Sequence, residues 1–410
     1  MLEFIRTNAR WLAGAFLLAL FSGFGQTFFI SLFSEDIRSH YDLTDGEFGT
    51  LYMVATICSA AIFLNIGFVA DRFPVAVVSV LVLIALAVAC GAMAMSDSVW
   101  VLAICLFSLR LFGQGLLLHV SQTAIGRWFD AERGRAISLT SMGLNAGESM
   151  FPIIVWAMTL SFAWQFSWGI AAASAALAIP ACHWLMKVPR QPKASEKSLI
   201  QNRSVKDWTR AEVLRDVLFW IASPAVFAPA FIATAIFFHH KHLVGIKDWP
   251  EGSFAGGFIF LSVATVLAKL AAGPLIDRIG AIRLMWTYHL PLGISCLLLA
   301  YGQSWVFIYA CMTLIGISMG FANSIFGTVW PELYGTKHLG AIRSVAVSGV
   351  VFSSACGSGA TGWLIDAGFG FESQLILMAA WCTFSAGSLY FVSGRMWQRT
   401  IQQVEVPAES

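Results

Sequence analysis

Three charged side chains lie deep inside apolar runs, where a charge is costly without a partner. Arg110 and Lys269 are cations, and Glu148 is an acid. An arginine at the centre of a bilayer costs at least about 2.5 kcal/mol, so we expect it to face a partner or a wet cavity. Two cations against one acid leave an excess positive charge that an anion would neutralise. These residues therefore predict the binding of a small organic anion, with a carboxylate as the first choice.

Arg110 and Glu148 lie near the middle of two successive runs that would cross the membrane in opposite directions. They could form a structural ion pair, or a pair that also binds protons or substrate. A substrate anion that competes for Arg110 would favour protonation of Glu148. This predicts that binding of the anion is coupled to uptake of a proton, with Glu148 as the coupling residue.

Lys269 has no acidic residue one turn away, since Thr265 precedes it and Gly273 follows it. It could hold the substrate anion, or its stem could snorkel to the membrane interface. Three polar residues complete the predicted substrate site: Gln26, Asn145 and Asn323. Each could line a cavity or hydrogen-bond to a neighbouring helix.

Other kinds of chemistry find little support in the residues. Residues 357–362 fit the dinucleotide pattern Gly-x-Gly-x-x-Gly but lie within an apolar run, where close helix packing explains them better. The same packing is expected at Gly143 and Gly147 and at Gly316 and Gly320. No lysine follows a glycine, the eight cysteines form no Cys-x-x-Cys pair, and no polar cluster lies outside the apolar runs. We therefore expect no enzyme activity, no cofactor and no metal site.

Composition places the chain in a membrane. Of its 410 residues 58% are hydrophobic and only 12% charged, against roughly 25% charged in soluble domains. A net charge of +2 argues against nucleic acid as a partner. Twelve apolar runs reach the roughly 20 residues that a membrane helix needs. They cover 10–33, 46–69, 75–95, 99–126, 134–160, 164–186, 214–239, 253–275, 283–301, 305–329, 340–365 and 373–393.

The distribution of positive charge predicts the orientation. With the N-terminus inside, 20 of the 25 lysines and arginines fall in cytoplasmic segments and three in outer segments. This bias predicts a multi-pass protein of the cytoplasmic membrane with both termini cytoplasmic. The predicted organisation is a six-helix bundle at 1–186, a cytoplasmic linker at 187–213, a second bundle at 214–394 and a cytoplasmic tail at 395–410.

A repeat with an offset of 206 residues relates the two halves. Gly-Phe-Val-Ala-Asp-Arg at 67–72 returns as Gly-Pro-Leu-Ile-Asp-Arg at 273–278, and residues 134–138 match 340–344 loosely. A fixed offset of half the chain indicates a duplicated architecture. The predicted fold is therefore all-α, with twelve transmembrane helices in two pseudo-symmetric six-helix bundles around a central cavity.

The two Asp-Arg segments resemble the loop signature of the major facilitator superfamily of transporters, and Arg110 followed by Gln114 and Gly115 resembles its fourth-helix motif. The resemblance implies alternating access, with gating residues in the two Asp-Arg segments. These are Gly67, Asp71, Arg72, Gly273, Asp277 and Arg278. The first segment continues with Phe73 and Pro74, where the family has Gly and two basic residues.

A narrower resemblance, to monocarboxylate and oxalate–formate carriers, rests on Arg110, residues 133–136 and Lys269. It implies that Lys269 holds a substrate carboxylate, although those carriers have Arg there and an Asp in place of Thr265. The chain is thus expected to be a secondary active transporter, a symporter or antiporter, that works as a monomer among membrane lipids. The alternatives are an exporter of a drug or another oxyanion, and a membrane sensor that does not transport.

Overall fold

The computed structural model describes residues 2–66, 69–129, 133–188, 190, 207–335 and 338–405, and this part of the chain contains helices and connecting loops but no strand. The α-helices, in chain order, are α1 (Leu2–Ser22), α2 (Thr27–Ile30), α3 (Ser34–Tyr41), α4 (Asp45–Ile66), α5 (Val69–Arg72), α6 (Val75–Ala94), α7 (Val99–Ser108), α8 (Leu118–Trp128), α9 (Arg133–Thr159), α10 (Trp164–Met186), α11 (Arg210–Arg215), α12 (Val217–Phe238), α13 (His240–Ile246), α14 (Ser253–Ile279), α15 (Ala281–Leu284), α16 (His289–Tyr301), α17 (Phe307–Tyr334), α18 (Leu339–Asp366) and α19 (Phe371–Glu405).

Membrane-spanning helices dominate the fold. Ten of the described helices are long and apolar enough to cross a bilayer, and the bent pair Glu3–Gly25 and Thr27–Tyr41 makes an eleventh. The 27-residue helix α9, which carries Asn145 and Glu148, corresponds to the fifth predicted span and is not among these eleven. The predicted all-α membrane fold is confirmed.

The helix starts preserve the repeat. Helices α4, α6, α7, α9 and α10 begin at 45, 75, 99, 133 and 164, and their counterparts α14, α15, α17, α18 and α19 at 253, 281, 307, 339 and 371. Each counterpart begins 206 to 208 residues later, although few residues are identical. The duplication is thus carried by where helices begin and by which positions are apolar.

The chain divides into two compact units. The first comprises Met1–Gln201 with Phe237–Lys241, and the second comprises Asn202–Ile236 with His242–Ser410. The end of α12 therefore clusters with the first unit. Most of the predicted linker lies outside the described residues. Its last part forms α11, whose first turn is closed by a capping box between Thr209 and Glu212.

Three predicted boundaries differ from the structure. The first run is one continuous helix in the prediction, but it breaks after Ser22. The second Asp-Arg segment is not a loop: it continues α14 to Ile279, and the chain turns at Gly280, whose φ of +92° favours glycine. The predicted tail begins inside α19, which runs on to Glu405.

In each unit, an arginine that follows the last apolar run contacts residues from distant parts of the same unit. In the first unit Arg190 donates from Nε to Asn8 Oδ1 at 3.0 Å, donates from Nη1 to the carbonyl of Trp128 and covers the ring of Phe129. In the second unit Arg399 Nη1 lies 2.8 Å from Asp216 Oδ2 and its guanidinium covers the ring of Trp208.

These arginine contacts occupy repeat-related positions. Asp216 follows Asn8 by 208 residues and Tyr334 follows Trp128 by 206. The Tyr334 hydroxyl donates to the same Asp216 oxygen at 2.9 Å. The extension of α19 beyond its predicted end therefore has a structural role: it carries Arg399 to the start of α12 and the end of α17.

Replacing Arg399 with Met should destabilise the second unit by about 1–3 kcal/mol, because Asp216 would remain a largely buried charge without its cation. The measurement is thermal unfolding of the purified protein in detergent. Arg395→Met, on an exposed residue one turn earlier on α19, is the matched control and should leave the unfolding temperature nearly unchanged. Equal unfolding temperatures for both variants would contradict this role for Arg399.

Candidate functional site

The first span is broken at its middle. After α1 the chain forms a 3₁₀ turn at Gly23–Gly25, passes through Gln26 in an extended conformation and restarts as α2. Gly23 and Gly25 flank Phe24 in the sequence, and two glycines in three residues weaken a helix at this point. A break at this depth exposes backbone groups that must be satisfied by protein or by water in a cavity.

The fourth span widens opposite this break. Residues Leu109–Leu117, between α7 and α8, are wound as a π-helix. Gly25 and Gly113 meet here backbone to backbone: a methyl group on Gly113 would lie 2.7 Å from the Gly25 Cα. π-helical turns are frequent at functional sites because they displace side chains from the regular helical register.

Arg110 connects the two spans. It is 1% exposed, and its Nη1 donates to the Gly25 carbonyl and to Thr27 Oγ1, both at 3.3 Å. Its guanidinium lies 5.2 Å from the centre of the Tyr52 ring, and the Tyr52 hydroxyl donates to Thr27 Oγ1 at 2.8 Å. The Gly25 carbonyl, which the break in the first span leaves available, thus accepts a hydrogen bond from the charged Arg110.

The charge of Arg110 is only partly satisfied. Within the described part of the chain its Nε and Nη2 have no hydrogen-bond partner, and its contacts include no carboxylate. The ion pair with Glu148 that the sequence allowed is therefore absent from this structure. A desolvated guanidinium with two nitrogens that lack a partner is suited to an anion.

The other predicted residues of the first unit surround the same break. Asn145 and Glu148 are 7% and 8% exposed on α9, and Gln26 is half-buried at the break itself. Phe151, one turn after Glu148, stacks on Phe24 with ring centres 4.9 Å apart. Helix α9 therefore borders the broken span, and Glu148 is held in a desolvated position.

The remaining substrate candidates belong to the second unit. Lys269 is half-buried on α14, and Asn323 is exposed on α17. These two helices are in close contact at Gly320, where a methyl group would lie 2.6 Å from the Thr265 carbonyl oxygen. Gly143, Gly316 and Gly357 also lie against the backbone of a neighbouring helix, so the predicted packing role of these glycines is confirmed.

The gating candidates are only partly described. Gly67 lies outside the described residues, as do the side chains of Asp71 and Asp277. Arg72 ends the short helix α5 and is exposed; Gly273 and Arg278 are exposed on α14. Their gating role stays a prediction.

A separate polar cluster lies where the chain passes from α12 to α13. Asp45 lies 2.6 Å from Arg38 Nη1 and 3.4 Å from His239 Nδ1, and Lys241 Nζ lies 2.9 Å from Asp36. Burial lowers the pKa of the neighbouring His240 to about 4, so that side chain is neutral at physiological pH. No group of three or more metal-ligating side chains occurs among the described residues.

Comparison with protein families covers nearly the whole chain. The model of the Major Facilitator Superfamily matches residues 15–265 and 252–405. The chain belongs to the major facilitator superfamily. It is therefore a multi-pass membrane protein of a transporter superfamily.

One relative in the superfamily shares limited identity with the chain. The MFS-type transporter pytF of Aspergillus terreus (strain NIH 2624 / FGSC A1156) is 28% identical over 178 residues, which is 42% of this chain. The match spans 56% of that relative's length.

Two solved structures show the same fold. The chain is similar to a bacterial homologue of the human lysosomal transporter Spinster, crystallised inward-facing and unoccupied, with a TM-score of 0.74, 13% identity and coverage of 98% and 99% of the two chains. The nucleoside transporter NupG gives a TM-score of 0.70 at 14% identity, with 95% and 99% covered. The narrower resemblance to monocarboxylate carriers finds no support in these superfamily comparisons.

Sequence reasoning missed Gly25, Thr27 and Tyr52, and it did not predict the contact of Gly113 with Gly25. The available signal was the Gly-Phe-Gly triplet at 23–25 followed by two polar residues, which is unusual in the middle of an apolar run. Tyr52 has no comparable signal, because one aromatic residue in a membrane helix is ordinary.

Gly113→Ala should separate the broken span from the π-helix and weaken the hold of Arg110 on Gly25. We expect a loss of about 1–3 kcal/mol of stability from overpacking, together with a large loss of transport. Gly169→Ala is the matched control, because nothing lies within 4 Å of the added methyl and a helical Gly→Ala change is commonly stabilising. Thermal unfolding and transport in proteoliposomes test both; a fully active Gly113→Ala variant would contradict the proposed contact.

Proposed function

We propose that the chain is a secondary active transporter of a small organic anion, with a carboxylate as the favoured substrate group, and that it couples transport to protons. The observation that carries this proposal is Arg110: a fully buried guanidinium whose Nε and Nη2 have no hydrogen-bond partner among the described residues. Its cost in a desolvated site falls when an anion binds there. The broken span beside it offers backbone groups for the same ligand, as discontinuous helices do in other transporters.

Further substrate contacts are assigned to Gln26, Asn145, Lys269 and Asn323. Gln26 and Asn145 lie at or next to the break, which supports a role beside Arg110. Lys269 is half-buried on α14, well before the helix ends at Ile279, and its flexible stem could extend toward a cavity or along the helix toward the membrane interface. The gating roles of Gly67, Asp71, Arg72, Gly273, Asp277 and Arg278 belong to the same proposal of alternating access.

Glu148 is the proposed proton-coupling residue. It is a buried acid on the helix that borders the break. A buried carboxyl group favours its neutral form, and an anion bound nearby favours it further. Substrate and proton would then enter together. We also propose a cytoplasmic membrane location with both termini inside, because of the 20 to 3 bias of positive charge, and activity as a monomer.

Export of a drug or another oxyanion is the second candidate, and a non-transporting sensor the third. An oxyanion would use the same Arg110 site. Uptake and export differ in the direction of the coupled gradient, which transport assays in oriented vesicles separate. A sensor would bind the anion without accumulating it.

Lys269→Ala should weaken binding of the best anionic ligand by roughly ten- to more than a hundred-fold. The reason is that the variant loses a charge-assisted hydrogen bond, which contributes about 1.5–3 kcal/mol to the binding free energy. Lys269→Arg should retain part of the affinity, since the charge is kept while its shape changes. The ligand is found by a thermal-shift screen of carboxylates and other anions, and affinities are then titrated. Lys187→Ala, an exposed lysine beyond α10, is the control. Equal affinities in all variants would remove Lys269 from the site.

Glu148→Gln should abolish proton-driven accumulation while sparing exchange of substrate for substrate, because the amide cannot carry the proton. The measurement is uptake into proteoliposomes with and without a pH gradient, beside counterflow without one. Glu251→Gln, at an exposed acid before α14, should behave as wild type. Unchanged pH dependence in the Glu148 variant would move the coupling site elsewhere.

A further inference from the structure

A long cavity, open on one side, lies in the second unit among α12, α18 and α19, and includes none of the predicted substrate residues. Its volume is about 800 Å³. The lining residues on α18 run from Val345 to Leu364, a length of about 28 Å, and those on α12 from Phe219 to Ile232, about 20 Å. The cavity therefore extends over most of the roughly 30 Å hydrocarbon core of a bilayer.

The wall of this cavity is apolar and aromatic, and none of its lining residues is charged. The aromatic residues are Phe219, Trp220, Phe227, Phe231, Phe352 and Trp381. Such a wall suits hydrocarbon. A compact polar solute would leave most of the length unfilled, whereas an extended alkyl chain matches both the shape and the chemistry.

One end of the cavity is polar. Gln374, 3% exposed in the first turn of α19, donates from Nε2 to the carbonyl oxygens of Phe369 at 3.0 Å and Thr361 at 3.4 Å. These two acceptors identify the amide nitrogen, so Oε1 is left as an acceptor. Neither Gln374 Oε1 nor the hydroxyl of Thr361, which is 0% exposed, has a partner among the described residues. Buried polar atoms are costly to leave unpaired.

We propose that this cavity binds one alkyl chain of a membrane lipid that carries a hydroxyl group at its polar end, as a monoacylglycerol does. The ligand hydroxyl donates to Gln374 Oε1 and accepts from Thr361 Oγ1. Both residues lie beside the loop between α18 and α19, the level at which a lipid's glycerol group meets the chain region. The lipid comes from the surrounding bilayer and is a resident ligand, not the transported solute.

The probe is a monoacylglycerol with a photoreactive diazirine in its acyl chain, added to the full-length protein in lipid nanodiscs. Mapped crosslinks should fall on α12, α18 or α19, and unlabelled 1-monooleoylglycerol should compete for them. The same lipid with both hydroxyls methylated cannot donate to Gln374, and should compete roughly three- to ten-fold less well. Crosslinks spread evenly over the spans, or equal competition by both lipids, would overturn the proposal.

Two variants test the cavity itself. Thr361→Val removes only the hydroxyl and should weaken competition by roughly three- to ten-fold. Cys356→Phe places a ring in the cavity and should abolish the crosslinks, while Cys58→Phe, the same change at an exposed position of α4 outside the cavity, should retain them. Wild-type labelling of both the Thr361 and the Cys356 variants would overturn the proposal. Protein-dependent passage of the probe across proteoliposomes would overturn its assignment as a resident lipid.

Discussion

The buried charge of Arg110 is the constraint on which the first unit depends. A guanidinium with 1% exposure needs oxygen partners, and a regular helix would offer it none because its carbonyls are already used. The break after Ser22 supplies a free carbonyl at Gly25, and the π-helix of Leu109–Leu117 brings Arg110 to it. Gly25 and Gly113 allow the two backbones to meet. The irregular backbone and the buried cation therefore stabilise each other.

Hydropathy and charge were sufficient to predict the fold. Twelve runs and a repeat of 206 residues identify the helices and their duplication, because a bilayer imposes helix length and apolarity directly on the sequence. The site was predicted less completely. Arg110, Gln26, Asn145 and Glu148 could be singled out, since polar residues inside apolar runs are conspicuous. The contact of Arg110 with a backbone carbonyl could not, because every residue has a carbonyl and only the break makes this one available.

The arginines that follow the last apolar run of each unit show a second limit. Arg399 is one of several basic residues near the predicted end of the last span, and orientation rules treat them all alike. Its pairing with Asp216 depends on α19 continuing as a helix to Glu405, well beyond the apolar run. Hydropathy marks where a span leaves the hydrocarbon, not where its helix ends. Arg399 reaches Asp216 because α19 stays helical beyond the apolar run, and composition alone does not predict that continuation.

The two units have kept one scaffold and diverged in their interiors. The position that follows Arg110 by 206 residues is Gly316, and it packs against the backbone of α14 with no charge to satisfy. Accordingly α17 is a continuous helix, and α12 is not interrupted as the first span is.

The first unit thus has a buried arginine, a broken first span and a π-helix in its fourth span. The described residues of the second unit have none of these three features. This co-occurrence is expected if each depends on the others. The buried arginine thus belongs to the first unit, whereas the long cavity beside α12 in the second unit has no charged residue in its wall.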